Sequence, residues 1–281
     1  MEFFNKAKER TSANIAIERQ AIEKRENRKS SYEMASNVLS MHNRIWQLLP
    51  QQCQARICTE ISNAIDCSTE SGGLILRKSP EKIWNAFNQG RGACIYSQDE
   101  QGLLHFYRSC LYYKVHDNPD YPSAIETGAL IASPLSSNNS GHKVIGYNRD
   151  NRASHTPGSC VLEAVALLAK NSHPNDPIIA TVRAPQSILA ANKAGFTQLN
   201  FAANPELQAL TCTKDCVGNV YQGATNNSIK CRAMNSNRSD DCKLLIYNPE
   251  VLQNFKNNFN QAMQNQTTKS IKGVRESLNL Q

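Results

Sequence analysis

The stretch Ser159-Cys160-Val161-Leu162-Glu163-Ala164-Val165-Ala166-Leu167-Leu168-Ala169-Lys170 decides the fold class. Its apolar residues nearly fill the circumference of a helix, the pattern of a helix laid on a sheet. Glu163 is its one acid and is expected to be an exposed ion-pair partner. Downstream, Pro177 to Arg183 is a short apolar run of strand length, and Pro185 to Ala194 is a second helix that stops at Gly195, where glycine commonly ends a helix. Upstream lies a loop rich in Ser, Asn, Gly and His, from Pro134 to Pro157.

Further out, Leu74 to Arg77, Ala93 to Ser97, Leu103 to Val115 and Ser123 to Ser133 read as strands. A helix opens at Ser79-Pro80, with a cap residue before proline at the first helical position. Residues 98 to 102 (Gln-Asp-Glu-Gln-Gly) form a hairpin connection. Residues 207 to 213 and 243 to 247 are further strands. From Ser31 to Asp66 the apolar positions recur at three and four residues, and Pro50 divides that run into two helices. Pro249 begins an amphipathic helix through Val251, Leu252, Phe255, Phe259 and Met263, with the last fifteen residues expected to be unstructured. The organisation is therefore a helical extension over 1–70, whose residues 1–30 form a polar arm, a main domain over 71–249, and a helix with a flexible tail over 250–281.

The chain has 281 residues with a net charge of +7. Its mean hydropathy is −0.52 and its pI about 8.9. No apolar run approaches the ~20 residues that cross a bilayer, so no membrane span is expected. The basic excess is spread over both ends and not interleaved with aromatics, which speaks against a nucleic-acid binder. The charged first thirty residues contain no apolar export core, so the expected location is cytoplasmic, or secreted without an N-terminal signal peptide.

Ten cysteines in such a chain are expected as reduced thiols, most of them small buried hydrophobes. Cys212, Cys216, Cys231 and Cys242 have the number but not the paired spacing of a structural zinc site; zinc, disulfides and free thiols all stay open for them. No metal is expected. His42, His105, His116 and His173 stand at no metal-like spacing and read as surface or core residues.

The order of elements from Leu74 to Tyr247 resembles that of the GNAT superfamily of acyl-CoA-dependent N-acyltransferases. Three segments carry the resemblance. Ile125-Glu126-Thr127-Gly128-Ala129-Leu130-Ile131-Ala132-Ser133-Pro134 is similar to the family's central strand, a carboxylate followed by an apolar stretch closing on proline. His155-Thr156-Pro157-Gly158-Ser159-Cys160 resembles its pyrophosphate turn, with His155 and Cys160 where the family has Gln or Arg and then Gly or Ala. Asn192-Lys193-Ala194-Gly195-Phe196 resembles its Lys-x-Gly-Phe ending. The resemblance implies a mixed, mainly antiparallel central sheet flanked by helices (α/β, in the α+β sense), with an N-terminal helical extension.

It also implies acetyl-CoA as co-substrate and an amine acceptor on a small molecule or a protein; the added helical arms and polar tail, for their part, suit action on another protein, as by a bacterial effector. Pantetheine would pair with the backbone at Leu130 and Ile131, and the pyrophosphate would sit on His155, Gly158, Ser159 and Cys160. Independently of the resemblance, a glycine delivered to a helix start offers unpaired N–H groups and the positive end of the helix dipole to a phosphate. An amine must lose a proton to form an amide, which makes Glu126 the candidate general base. The place where many members carry a tyrosine general acid is Ala191. Gly141, His142, Lys143 and Gly146 are a second basic, glycine-bearing stretch that could meet phosphates.

Two other readings remain. Cys160, in the first turn of its helix, could be an activated thiol working with His155 or His142 and with Glu126 or Asp150. The chain could also be a non-catalytic binding module on an acyltransferase-like scaffold.

Overall fold

The computed structural model describes residues 31–70, 78–115, 122–136, 142–145, 147, 155–182, 185–200, 203–204 and 243–278. Helix α1 (31–48) ends before Pro50, whose carbonyl accepts the N–H groups of Cys53 and Gln54 at 2.9 and 3.0 Å and so opens α2 (Gln51–Glu70). The proline thus stops one helix and starts the next, as its missing N–H dictates. Helix α3 (Pro80–Asn88) begins where Ser79 accepts the Lys82 N–H.

Strands β1 (Gly92–Gln98) and β2 (Leu104–Lys114) form the expected hairpin. Asp99 makes its turn by accepting the Gln101 and Leu103 N–H groups at 3.0 and 2.8 Å, and Gly102 supplies the left-handed residue at φ 81°. β3 (Ile125–Ala132) pairs antiparallel with β2. The short β4 (Lys143–Ile145) adds to the outer edge of β1. After α4 (Pro157–Ser172) come β5 (Ile178–Val182), α5 (Pro185–Lys193), β6 (Thr197–Leu199), β7 (Lys243–Ile246), a short 3-10 turn and α6 (Leu252–Leu278).

The described sheet has seven strands in the order β4-β1-β2-β3-β5-β7-β6. Every neighbouring pair is antiparallel except β3 and β5. The mixed, mainly antiparallel sheet flanked by helices agrees with the expected class. α4 lies on one face, over Ile125, Cys110, Tyr112, Ile178 and Leu245. The other face is covered in two parts: α2 and α3 over Cys94, Tyr96, Phe106, Leu111 and Ile131, and α6 over Ile179, Leu244 and Ile246. Asn248, fully buried, ties the start of β5 to the end of β7, accepting from Ile178 N–H at 2.7 Å and donating to the Asp176 carbonyl at 2.8 Å.

Three expectations are corrected. The C-terminal helix continues to Leu278, so residues 267–278 are helical where their polar composition reads as an unstructured tail, and 279–281 lie outside the described residues. Glu163 is buried, 1% exposed, because α4 is covered on its second side by α1, whose Ser31 hydroxyl donates to it. Lys143 lies on an edge strand instead of in a loop. The arm over 1–30, the strands expected at Leu74 to Arg77 and at 207–213, Asp150, and the cysteines Cys212, Cys216, Cys231 and Cys242 lie outside the described residues.

Candidate functional site

The parallel pair is short. β3 meets β5 through Ile125 with Ile178 and Glu126 with Ile179, and the Thr127 hydroxyl then donates to the Ile179 carbonyl at 3.1 Å. Beyond it, Ala180 to Val182 pair, among the described residues, only with β7. From Gly128 on, the side of β3 that faces β5 has no strand partner among the described residues. β3 also carries a bulge there: Gly128 lies opposite Leu111 and Ile131 opposite Ser109, so Ala129 and Leu130 together face Cys110. The two strands part at the middle of the sheet, and Leu130 and Ile131 fall on the parted, bulged segment.

α4 returns the chain to the start of β5 through the short connection 173–177, so its N-terminus lies toward the C-terminal ends of β3 and β5, the ends at which their pairing has stopped. There Thr156 accepts the Ser159 N–H and the Ser159 hydroxyl accepts the Thr156 N–H, a reciprocal cap. Pro157 has no N–H, and the Cys160 N–H reaches the Thr156 carbonyl at 3.0 Å. Of the first-turn donors this leaves Gly158. A side-chain carbon added at Gly158 would meet only Ala190 Cβ and Thr156 Oγ1, each at 3.9 Å, so the space before it is open.

The other three residues expected at the phosphate turn face inward. His155, Ser159 and Cys160 are 4%, 1% and 2% exposed. His155 also accepts the Tyr147 hydroxyl at its carbonyl, at 2.9 Å. Burial pushes the Cys160 thiol up to about 12, and nearby Glu163 adds to it against a hydrogen bond from Ser159. An apolar site disfavours the thiolate more than the helix N-terminus favours it. Of the second basic stretch, Lys143 is removed from the opening, because β4 is separated from β3 by β1 and β2, while Gly141 and Gly146 lie outside the described residues.

On the opposite face, Glu126 is 1% exposed and accepts the Tyr113 hydroxyl at 2.8 Å from directly across the β2–β3 ladder. Burial raises the Tyr113 phenol, which therefore stays a proton donor at neutral pH. Its ring lies against Gly128, where an added Cβ would be 3.0 Å from a ring carbon and 3.2 Å from the hydroxyl. Lys78, immediately before α3, places Nζ 4.4 Å from the centroid of the same ring, and its carbonyl accepts the Ser62 hydroxyl at 2.7 Å. Burial lowers the Lys78 ammonium, with Lys82 and Arg91 adding to the shift.

Tyr113 and Lys78 are absent from the sequence reading. Alternation along β2 puts Tyr113 on the face of Leu111, but the register that sets it opposite Glu126 comes from pairing across strands. Ala191, the position compared with a tyrosine acid, is fully buried under α4. Among the described residues no group of three or more His, Cys, Asp or Glu side chains is arranged to hold a metal ion. No described helix is long and apolar enough to cross a membrane. No protein-family model, curated protein or solved structure matches this chain.

Proposed function

We propose that this chain is an N-acyltransferase that moves an acetyl group from acetyl-CoA to an amine. The observation that carries the reading is the parting of β3 from β5 after two residue pairs, with the N-terminus of a sixteen-residue helix at the opening. The mixed, mainly antiparallel sheet flanked by helices agrees with the coarse class that the resemblance to the GNAT superfamily implies. The backbone edge of Gly128 to Ile131, without a strand partner toward β5 among the described residues, suits an extended amide-bearing arm such as pantetheine, which can pair with it as a strand would. The Gly158 N–H and the α4 dipole suit the pyrophosphate.

In this reading Glu126 takes the proton from the attacking amine as the new C–N bond forms, and the thioester C–S bond breaks. The departing CoA sulfur takes up a proton from water. No metal is required by these steps. The cofactor grip rests on Gly158 and on the β3 backbone at Leu130 and Ile131, with His155, Ser159 and Cys160 shaping the turn from within. Acceptors carrying an amine, small or protein-borne, would approach from the face of Glu126 and Tyr113.

Calorimetric titration with acetyl-CoA, beside a Gly158→Glu variant, tests this. The space around Gly158 lets the variant fold, while its carboxylate occupies the phosphate position. Micromolar binding, about −8 kcal/mol, that is lost in the variant is the expected result. No binding at millimolar acetyl-CoA would refute the acyltransferase. A non-catalytic module would then be the better account, and the occupation of the Ser159 and Cys160 N–H groups within the turn favours it.

A further inference from the structure

Lys78 is a cation in an unusual place. It is half-buried, and among the described residues no carboxylate pairs with it. Its one described side-chain partner is the face of Tyr113, 4.4 Å away. That ring lies on Gly128, beyond the last β3–β5 pair, and its hydroxyl is bonded to Glu126. The amine therefore stands against the ring that lies on Gly128 of the parted segment and whose hydroxyl is bonded to the carboxylate that would act as base. Its main chain is fixed by the Ser62 hydroxyl and by the start of α3. A half-buried ammonium with no carboxylate beside it among the described residues holds its proton less tightly than an exposed one.

We propose that Lys78 is an acyl acceptor of the chain itself, its amine taking the acetyl group in the opening between β3 and β5 with Glu126 as the base. The inference rests on the acyltransferase reading. Neutral Lys78 Nζ attacks the thioester carbonyl carbon, the N–C bond forms and the C–S bond breaks. The proton shed by the nitrogen passes to Glu126, the CoA sulfur leaves as the thiolate and takes a proton from water, and Glu126 releases its proton to the hydroxide left behind, so that the products are Nε-acetyl-lysine and free CoA. Burial, Lys82 and Arg91 all favour the neutral amine that this attack needs. Acetylation would also remove the cation from the face of the ring that donates to Glu126, so it would change the charge of the acceptor side of the site.

The experiment is a time course of the full chain with acetyl-CoA, followed by intact mass and by peptide mapping, with calorimetry of acetyl-CoA on the same preparation. The expected result is the addition of one acetyl group, at Lys78, before any other lysine reacts. Lys78→Arg, which keeps the charge, and Lys78→Gln should both abolish that first addition. Glu126→Gln should slow it by about 10²-fold, the usual contribution of a general base. Acetyl-CoA that binds while Lys78 stays unmodified would overturn this inference and leave the acyltransferase reading intact. Acetyl groups scattered over exposed lysines at the same rate in Glu126→Gln would overturn it as well. Absence of acetyl-CoA binding would remove both.

Discussion

His42 provides the sharpest thermodynamic test of the packing of α1 on the sheet. Its ring is 1% exposed, lies parallel to Tyr96 at 6.0 Å and to Trp46 at 6.1 Å, and meets the edge of Phe87 at 4.9 Å. Nδ1 is hydrogen-bonded to the Tyr96 hydroxyl at 3.0 Å, and burial keeps that phenol protonated. Burial lowers the His42 imidazolium from 6.5 to about 4. The folded value is depressed, so the unfolded chain binds the proton more tightly. The stability tied to a neutral His42 is complete above pH 6.5 and is lost as pH falls toward 4. At 1.36 kcal/mol per unit the whole shift is worth about 3 kcal/mol, of which about 2 kcal/mol is lost between pH 7.5 and pH 5. The assay is urea unfolding of the wild type and of His42→Phe at a series of pH values. Other groups titrate equally in both proteins, so the difference between the two free-energy curves isolates His42. It should close by about 2 kcal/mol in favour of the variant on going from pH 7.5 to 5. Parallel curves would show that His42 is hydrated or already charged, and that α1 does not seal this aromatic cage.

Cys160 should resist iodoacetamide at neutral pH in the folded chain while exposed Cys67 reacts, and both should react after denaturation; equal rates in the native protein would mean that the α4 N-terminus opens. Asn248→Ala removes a partner from two main-chain groups at the start of β5 and should cost about 2 to 4 kcal/mol by urea unfolding, so an unchanged midpoint would contradict the clamp. Gly128→Ala should cost about 1 to 3 kcal/mol, because the methyl pushes the Tyr113 ring off the strand and away from Glu126. A variant as stable as the wild type would place that ring elsewhere.

Local signals were enough for most elements. Pro50, Ser79-Pro80, the Asp99 to Gly102 turn and Gly195 each act through their own backbone chemistry, and each marks an element boundary in the structure. The near-complete apolar surface of α4 was legible as a helix on a sheet, but the helix covering its far side was not, and that is why Glu163 was expected in solvent. β4 was missed because three residues on a sheet edge are held by β1 and not by their own propensity. At the site, Glu126 and Gly158 could be picked from residue type and position. Tyr113 and Lys78 could not, since the first depends on a cross-strand register and the second on the seating of α3.

The sheet itself decides which of these groups can act together. Ile125 and Ile178 face α4, so their neighbours Glu126 and Ile179 face the layer of α2, α3 and α6. Cys160 is buried among the first set and Glu126 belongs to the second, so a strand lies between the thiol and the carboxylate. His142, beside β4, approaches His105 at 5.4 Å between ring centres, at the far edge. A cysteine, histidine and Glu126 relay is therefore not assembled. The same alternation separates a phosphate end, at Gly158 of α4, from an amine end, at Glu126, Tyr113 and Lys78. The segment where β3 bulges and leaves β5 is the one place where the two faces communicate, and a two-substrate transfer needs such a passage.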